Sequence, residues 1–238
     1  MRSGDVGFLI DTPPEMREAC IEYGIDRVDA VVLTHAHMDH VAGFDDVRRF
    51  NTLNGAKVPC EPGDPLYRGL PYRIIGKPLV CYAMAKTASQ MRRIFPYVGM
   101  KPNEEGLFRP MLGFDNSDSF DIGTVHVERL KVKHGFPCCG YLLEEGTGRL
   151  AYISDCHSLP KRTVGRIRGV DVLALNCLRE REHPTHLSLA ESLDYIREIA
   201  PRKAYLIHMC HDISHVGWLE RLRGTCVEPA YDGLIVSV

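Results

Sequence analysis

The sequence predicts an α/β chain folded as a four-layer αββα sandwich. Three observations carry that expectation. Short apolar segments that read as strands alternate with segments of helical period. Residues of metal-ligand type stand just after strand ends, at positions 35–40, 134, 155 and 208, so they share one rim of the layers. No repeat or boundary divides the 238 residues convincingly, and residues 1–238 read as one domain.

Gly7-Phe8-Leu9-Ile10 reads as a short strand ending at Asp11. Thr12-Pro13-Pro14-Glu15 has the pattern of a helix start, with Thr12 as the cap, and Gly24 marks the stop after Tyr23. A buried strand over 29–34 follows, and Val47 and Phe50 suggest a helix beyond it. Residues 51–80 are rich in Gly and Pro and read as a loop with a short hairpin, either walling a site or forming a surface excursion. Leu79–Tyr82 is a strand. Thr87–Phe95 is a helix with Met91, Ile94 and Phe95 on one face and Arg92 and Arg93 in solvent. Tyr97–Asn116 reads as irregular. Val125–Leu130 alternates as a strand with His134 beyond its end, and Cys139–Glu144 and Arg149–Ile153 form a hairpin that leads to Ser154-Asp155. Val170–Leu175 is a buried strand, and Ser188 with Glu191 opens a helix to Ala200. Lys203–Ile207 is a strand ending at His208, and a short helix near 218–222 and a strand over 234–238 close the chain.

The bulk numbers are those of an ordinary water-soluble globular protein, with 45% hydrophobic and 25% charged residues. A formal net charge of −2 gives no global basic field for nucleic acid, which is the less favoured partner, while a local basic patch stays open. The nine cysteines are scattered, with no Cys-x-x-Cys, which points to reduced thiols in a cytoplasmic enzyme. No apolar run is long enough for a membrane span, and no signal peptide is evident.

The chemistry concentrates in Thr34-His35-Ala36-His37-Met38-Asp39-His40. Imidazole and carboxylate are ordinary ligands of zinc, manganese and iron. In extended chain His35 and His37 point the same way and can grip one ion, while Asp39 and His40 lie past the turn and can face a second. One site needs three or four ligands, so this cluster with further candidates downstream points to two divalent ions, Mn²⁺ or Zn²⁺, with Fe also admitted.

This motif resembles the signature of the metallo-β-lactamase superfamily. The longer stretch from Leu33 to Arg49 is similar to the branch that contains the cyclic phosphodiesterase of phosphonate breakdown. The resemblance implies the metallo-β-lactamase fold and one ion held by His35, His37, His134 and Asp155. It implies a second ion held by Asp39, His40, His208 and a bridging Asp155. Asp39 and His186 are then the catalytic residues: the two ions activate a bridging hydroxide, and His186, in His183-Pro184-Thr185-His186, supplies the proton for the leaving group. Asp11 and His211 are expected to orient ligands from behind. Relatives in this branch carry further strands before the one matching Phe8–Asp11, together with cysteines of a structural zinc site whose histidine matches His211. The fold is therefore expected without its first strands. An exposed sheet edge would favour a homodimer.

The function this implies is hydrolysis of a small phosphodiester, a cyclic nucleotide or cyclic sugar phosphate. The alternatives are a tRNA 3′-processing nuclease, which needs an arm that is not evident here, and a lactonase or thioesterase. A binding or chaperone-like relative would have eroded ligands, whereas all seven positions are filled here. Cys156 and Cys210 flank ligand positions, but such cysteines are more often small buried apolar groups. His126 reads as structural. His157 and His215 lie near the rim.

Overall fold

The structure is a computed structural model that describes residues 1–65, 69–99 and 110–238. The chain forms two compact units, Met1–Ser117 and Asp118–Val238, each with its own sheet and its own apolar core.

In the first unit, β1 (Arg2–Ser3) pairs antiparallel with β2 (Val6–Ile10). Beyond it come α1 (Met16–Glu22), β3 (Ala30–Val32), α2 (Met38–Val41), a 3₁₀ turn (Phe44–Val47) and α3 (Arg48–Leu53). A two-stranded hairpin, β4 (Ala56–Pro59) with β5 (Tyr72–Ile75), precedes β6 (Leu79–Tyr82), α4 (Ala85–Ile94) and β7 (Leu112–Asp115). The sheet order is β1-β2-β3-β6-β7, parallel from β2 onward. Such a sheet buries its central strand on both sides, and Val31, Val32 and Leu33 are fully buried. Val41, Phe44, Val47 and Met91 complete this core.

In the second unit, β8 (Ser119–Ile122), β9 (Val125–Lys131), β10 (Cys139–Glu145) and β11 (Gly148–Ile153) run as an antiparallel meander. Then α5 (Lys161–Ile167), β12 (Val172–Asn176), α6 (Leu189–Ile199), β13 (Lys203–Ile207), α7 (His215–Arg221) and β14 (Val227–Pro229) alternate. The seven-stranded order is β14-β13-β12-β11-β10-β9-β8, with β11 to β14 parallel. Helical crossovers are what parallel neighbours require. Leu142, Ile153, Leu173, Leu175, Ile199, Leu206 and Trp218 form the core.

Several sequence expectations need correction. Thr12 does not cap α1, whose cap is Glu15 without a side-chain bond; Thr12 is buried and its N–H donates to the His40 carbonyl at 2.7 Å. The helix expected after the metal motif is three short turns. Ile94 is exposed and not part of the buried face; Arg92 and Arg93 are exposed as expected, with Arg92 also over the Phe114 ring at 4.8 Å. The strand expected over 234–238 is absent; β14 takes that sheet edge through Val227–Pro229. The irregular stretch expected from Tyr97 contains β7, and its residues 100–109 lie outside the described residues. The capping box of α6 is present: Ser188 and Glu191 bond reciprocally.

No helix among the described residues is long and apolar enough to cross a membrane. No disulfide occurs among them, and burial raises the thiols of Cys81, Cys156 and Cys177, the last to about 12, so none is a nucleophile near neutral pH.

Candidate metal centre

The first unit gathers its ligand-type residues where β3 ends and α2 begins. His35 is fully buried; its Nε2 lies 2.9 Å from His37 Nδ1, and its Nδ1 lies 3.0 Å from Thr34 Oγ1. His40 packs on His35, ring centroids 4.2 Å apart. His40 Nε2 lies 3.4 Å from Asp39 Oδ2, and the Asp39 side chain is 62% exposed. Behind them sits Asp11, buried at the end of β2. Its Oδ1 accepts from the Thr34 N–H at 2.8 Å, and its Oδ2 accepts from the Thr34 hydroxyl at 2.7 Å and faces His40 Nδ1 at 2.8 Å. The carboxylate therefore holds the proton on Nδ1 and turns Nε2 outward as a lone pair.

Two backbone features support this. Asp11 has φ +61, in the left-handed region that a short polar side chain tolerates best after glycine. Gly43 lets α2 approach the preceding loop, because a Cβ there would stand 2.3 Å from the Pro13 carbonyl oxygen.

In the second unit one carboxylate oxygen organises the group. Asp155 Oδ1 lies 3.3 Å from His208 Nε2, 3.7 Å from His186 Nδ1 and 3.8 Å from His134 Nε2. Asp155 and His134 are buried, while His186 and His208 are partly exposed. The His134 Nδ1–H donates to the Thr185 carbonyl at 2.9 Å, which turns Nε2 toward Asp155. His186 stacks on His208 with centroids 5.0 Å apart. Asn176, at the end of β12, donates to the Ser154 carbonyl and accepts from the Leu187 N–H, both at 2.8 Å, so it ties the aspartate and histidine loops together. His208 has φ +59, which strains a residue at the end of β13.

Burial, and then the neighbouring His208, push the His186 imidazole down to about 4. The sequence reading made His186 the proton donor to the leaving group; so lowered, the imidazole is neutral at pH 7 and keeps only an N–H to offer. His211 is exposed, as are His157 and His215. His126 bonds across β8 and β9, with Nδ1 2.7 Å from Asp121 Oδ1 and Nε2 2.9 Å from Ser119 Oγ. Sequence reading did not find Asn176, Thr34 or Thr185; their part lies in orienting other groups, and no local pattern marks it.

The donor set fits metal. It is entirely imidazole and carboxylate. Zn–N bonds of about 2.0–2.1 Å at a tetrahedral angle put two ligand atoms about 3.3 Å apart. The facing atoms of His35 and His37, at 2.9 Å, and of His208 and Asp155, at 3.3 Å, are close to that separation. Within the second unit, ligand atoms of His134, Asp155 and His186 all lie within 4.8 Å of one another.

Comparison with known proteins agrees. Residues 7–209 match the family described as the Beta-lactamase superfamily domain. An octanoyltransferase of Porphyromonas gingivalis (strain ATCC BAA-308 / W83) is 30% identical over 231 residues. That match covers 95% of this chain and 41% of that protein, so the chain spans about two fifths of its length. Among solved structures, a diphosphatase of the PhnP family is similar with a TM-score of 0.77 and 27% identity, covering 99% of this chain and 82% of that one. Zinc-bound PqqB from Methylobacterium extorquens shares the fold, with a TM-score of 0.70 and 17% identity over 100% of this chain and 85% of that one. The chain belongs to the metallo-β-lactamase superfamily and has its fold.

Proposed function

We propose that the protein is a dinuclear metal-dependent phosphodiesterase acting on a small cyclic nucleotide or cyclic sugar phosphate. In this reading residues 1–238 act as one hydrolase domain, with the ligand sets that the family resemblance implies. His35, His37, His134 and Asp155 hold one ion; Asp39, His40, His208 and the same Asp155 hold the other. The ions, when bound, supply Lewis acidity toward a phosphoryl oxygen and lower the pKa of water. The protein's own groups do the rest. Asp11 and the Thr185 carbonyl fix imidazole tautomers, and Asp39 and Asp155 offset the cationic charge. His186 donates a hydrogen bond to the leaving oxygen.

The observation that carries the reading is His186. It is a third imidazole against Asp155 Oδ1, beyond the two that the ligand set requires, which leaves one group for substrate. Similarity to a structure described as a diphosphatase supports phosphorus chemistry. The test is hydrolysis of bis(p-nitrophenyl) phosphate by metal-loaded protein. Activity should be abolished by Asp155→Ala and lowered about 10-fold by His186→Ala, the scale of one lost hydrogen bond. Loss of activity in Asp155→Ala with none in His186→Ala removes the role given to His186.

A second reading, acyl-thioester hydrolysis, is favoured by the similarity to an octanoyltransferase. A protein inert toward the phosphodiester and active on an acyl thioester would establish it.

A further inference from the structure

A cavity of about 280 Å³ opens beside the C-terminal end of β13, lined by Met209, Cys210, Ile213, His215, Trp218, Ala230, Tyr231 and Asp232. Its composition is uneven in an informative way. The floor is apolar, with Ile213 and Ala230. Trp218 is 1% exposed, and its indole N–H has no acceptor among the described residues. The rim carries two rings: His215 and Tyr231 meet edge to face, centroids 5.8 Å apart. Tyr231 is 58% exposed, so its ring face is open to a ligand. Asp232, also exposed, adds an acceptor beside them.

We infer that this cavity is a binding site for a planar nitrogen heterocycle of the nucleobase type. An aromatic rim stacks on such a ring whatever its sequence of atoms. The Asp232 carboxylate accepts from a ring N–H or exocyclic amine. No charged group is needed for the ring itself. At about 280 Å³ the cavity has room for one ring system and is below the usual range for drug-sized ligands. Its wall begins at Met209 and Cys210, the residues after His208, and consecutive Cα atoms are about 3.8 Å apart. The inference deepens the phosphodiesterase reading and rests on it for this last step: it selects the nucleotide over the sugar phosphate.

Trp218 is the single tryptophan of the chain, so its fluorescence reports on this cavity alone. The experiment titrates the protein with guanosine 5′-monophosphate, adenosine 5′-monophosphate and ribose 5-phosphate, following tryptophan emission with calorimetry alongside. A nucleotide should change the emission and release heat, and ribose 5-phosphate should do neither at the same concentration. Tyr231→Ala and Asp232→Asn should each weaken nucleotide binding, the former about 5- to 100-fold, with thermal midpoints close to the parent's, since both side chains are exposed. Equal responses to ribose 5-phosphate and nucleotide overturn the inference, as does a nucleotide that gives neither signal. If bis(p-nitrophenyl) phosphate is hydrolysed and nucleotides do not bind, the cavity assignment fails and the phosphodiesterase stands. If nucleotides bind and no phosphodiester is cleaved, the cavity assignment stands and the enzyme reading fails.

Discussion

Replacing Asp11 by Asn changes two atoms' chemistry and almost none of their positions. The carboxylate accepts on both oxygens, from the Thr34 N–H on one and from the Thr34 hydroxyl and the His40 ring on the other. An amide accepts on one side only. With its NH₂ toward His40, it donates to Nδ1 and drives the ring proton to Nε2, where it blocks the lone pair offered to metal. With its NH₂ toward Thr34, it opposes the backbone N–H. The first orientation fixes the wrong tautomer and the second leaves a buried donor facing a donor, and each costs about 1–3 kcal/mol. At about 1.4 kcal/mol per factor of ten, this is roughly a 5- to 100-fold loss of metal affinity if the penalty falls on the His40 tautomer. Asn tolerates the left-handed backbone at this position as Asp does, so strain is unchanged. Two assays separate the outcomes. Long-range ¹⁵N correlation of the imidazole reports the His40 tautomer, and competition with a chelator reports affinity. A folded Asp11→Asn protein with the parent's tautomer and the parent's affinity would refute the role given to Asp11.

Further outcomes are expected elsewhere. Ala200 ends α6 with φ +52 and an exposed side chain, so Ala200→Gly should stabilise by about 1 kcal/mol and raise the thermal midpoint by about 2–4 °C in calorimetry. Ser188→Ala removes the capping box of α6 and should lower stability by about 1 kcal/mol in urea unfolding. Hydrogen bonds from Arg166 hold the Glu144 carboxyl below its usual range. Its contribution is thus present above about pH 4.5 and is lost as pH falls through the lowered value. Arg166→Met should flatten the decline in urea midpoint between about pH 5 and 3, by a modest amount because both groups are partly exposed.

Much of this was legible in the sequence because the signals are local. A parallel strand buried on both faces is a run such as Ala30–Leu33, and a capping box is two residues three apart. The motif from His35 to His40 is visible because its ligands share a strand end and the following turn. What escaped detection has a physical cause in each case. The helix α5 is seven residues with Gly165 inside it, and β7 contains Gly113, so intrinsic preference is weak and pairing with α6 and β6 decides. Thr12 has the composition of a cap, but its N–H is taken by the His40 carbonyl, a partner 28 residues away. The lowered pKa of His186 comes from burial and from His208, which no sequence spacing announces. The aromatic rim of the cavity joins α7 to residues just after β14 in the same way.

Backbone strain sorts these residues further. Among the described residues, three other than glycine, Asp11, Ala200 and His208, have positive φ. Each costs about 1–2 kcal/mol relative to ordinary backbone, so each needs a reason. Ala200 terminates a helix with nothing beyond Cβ to bond, and glycine would serve there better. Asp11 and His208 differ, because glycine would relieve the strain and delete a carboxylate or an imidazole. Both stand one residue past a strand, β2 in the first unit and β13 in the second, and both side chains meet a proposed ligand, His40 or Asp155. Strain by itself does not mark a functional residue, as Ala200 shows. Strain retained by a polar side chain that would be lost on relief does, and it picks out one residue in each unit.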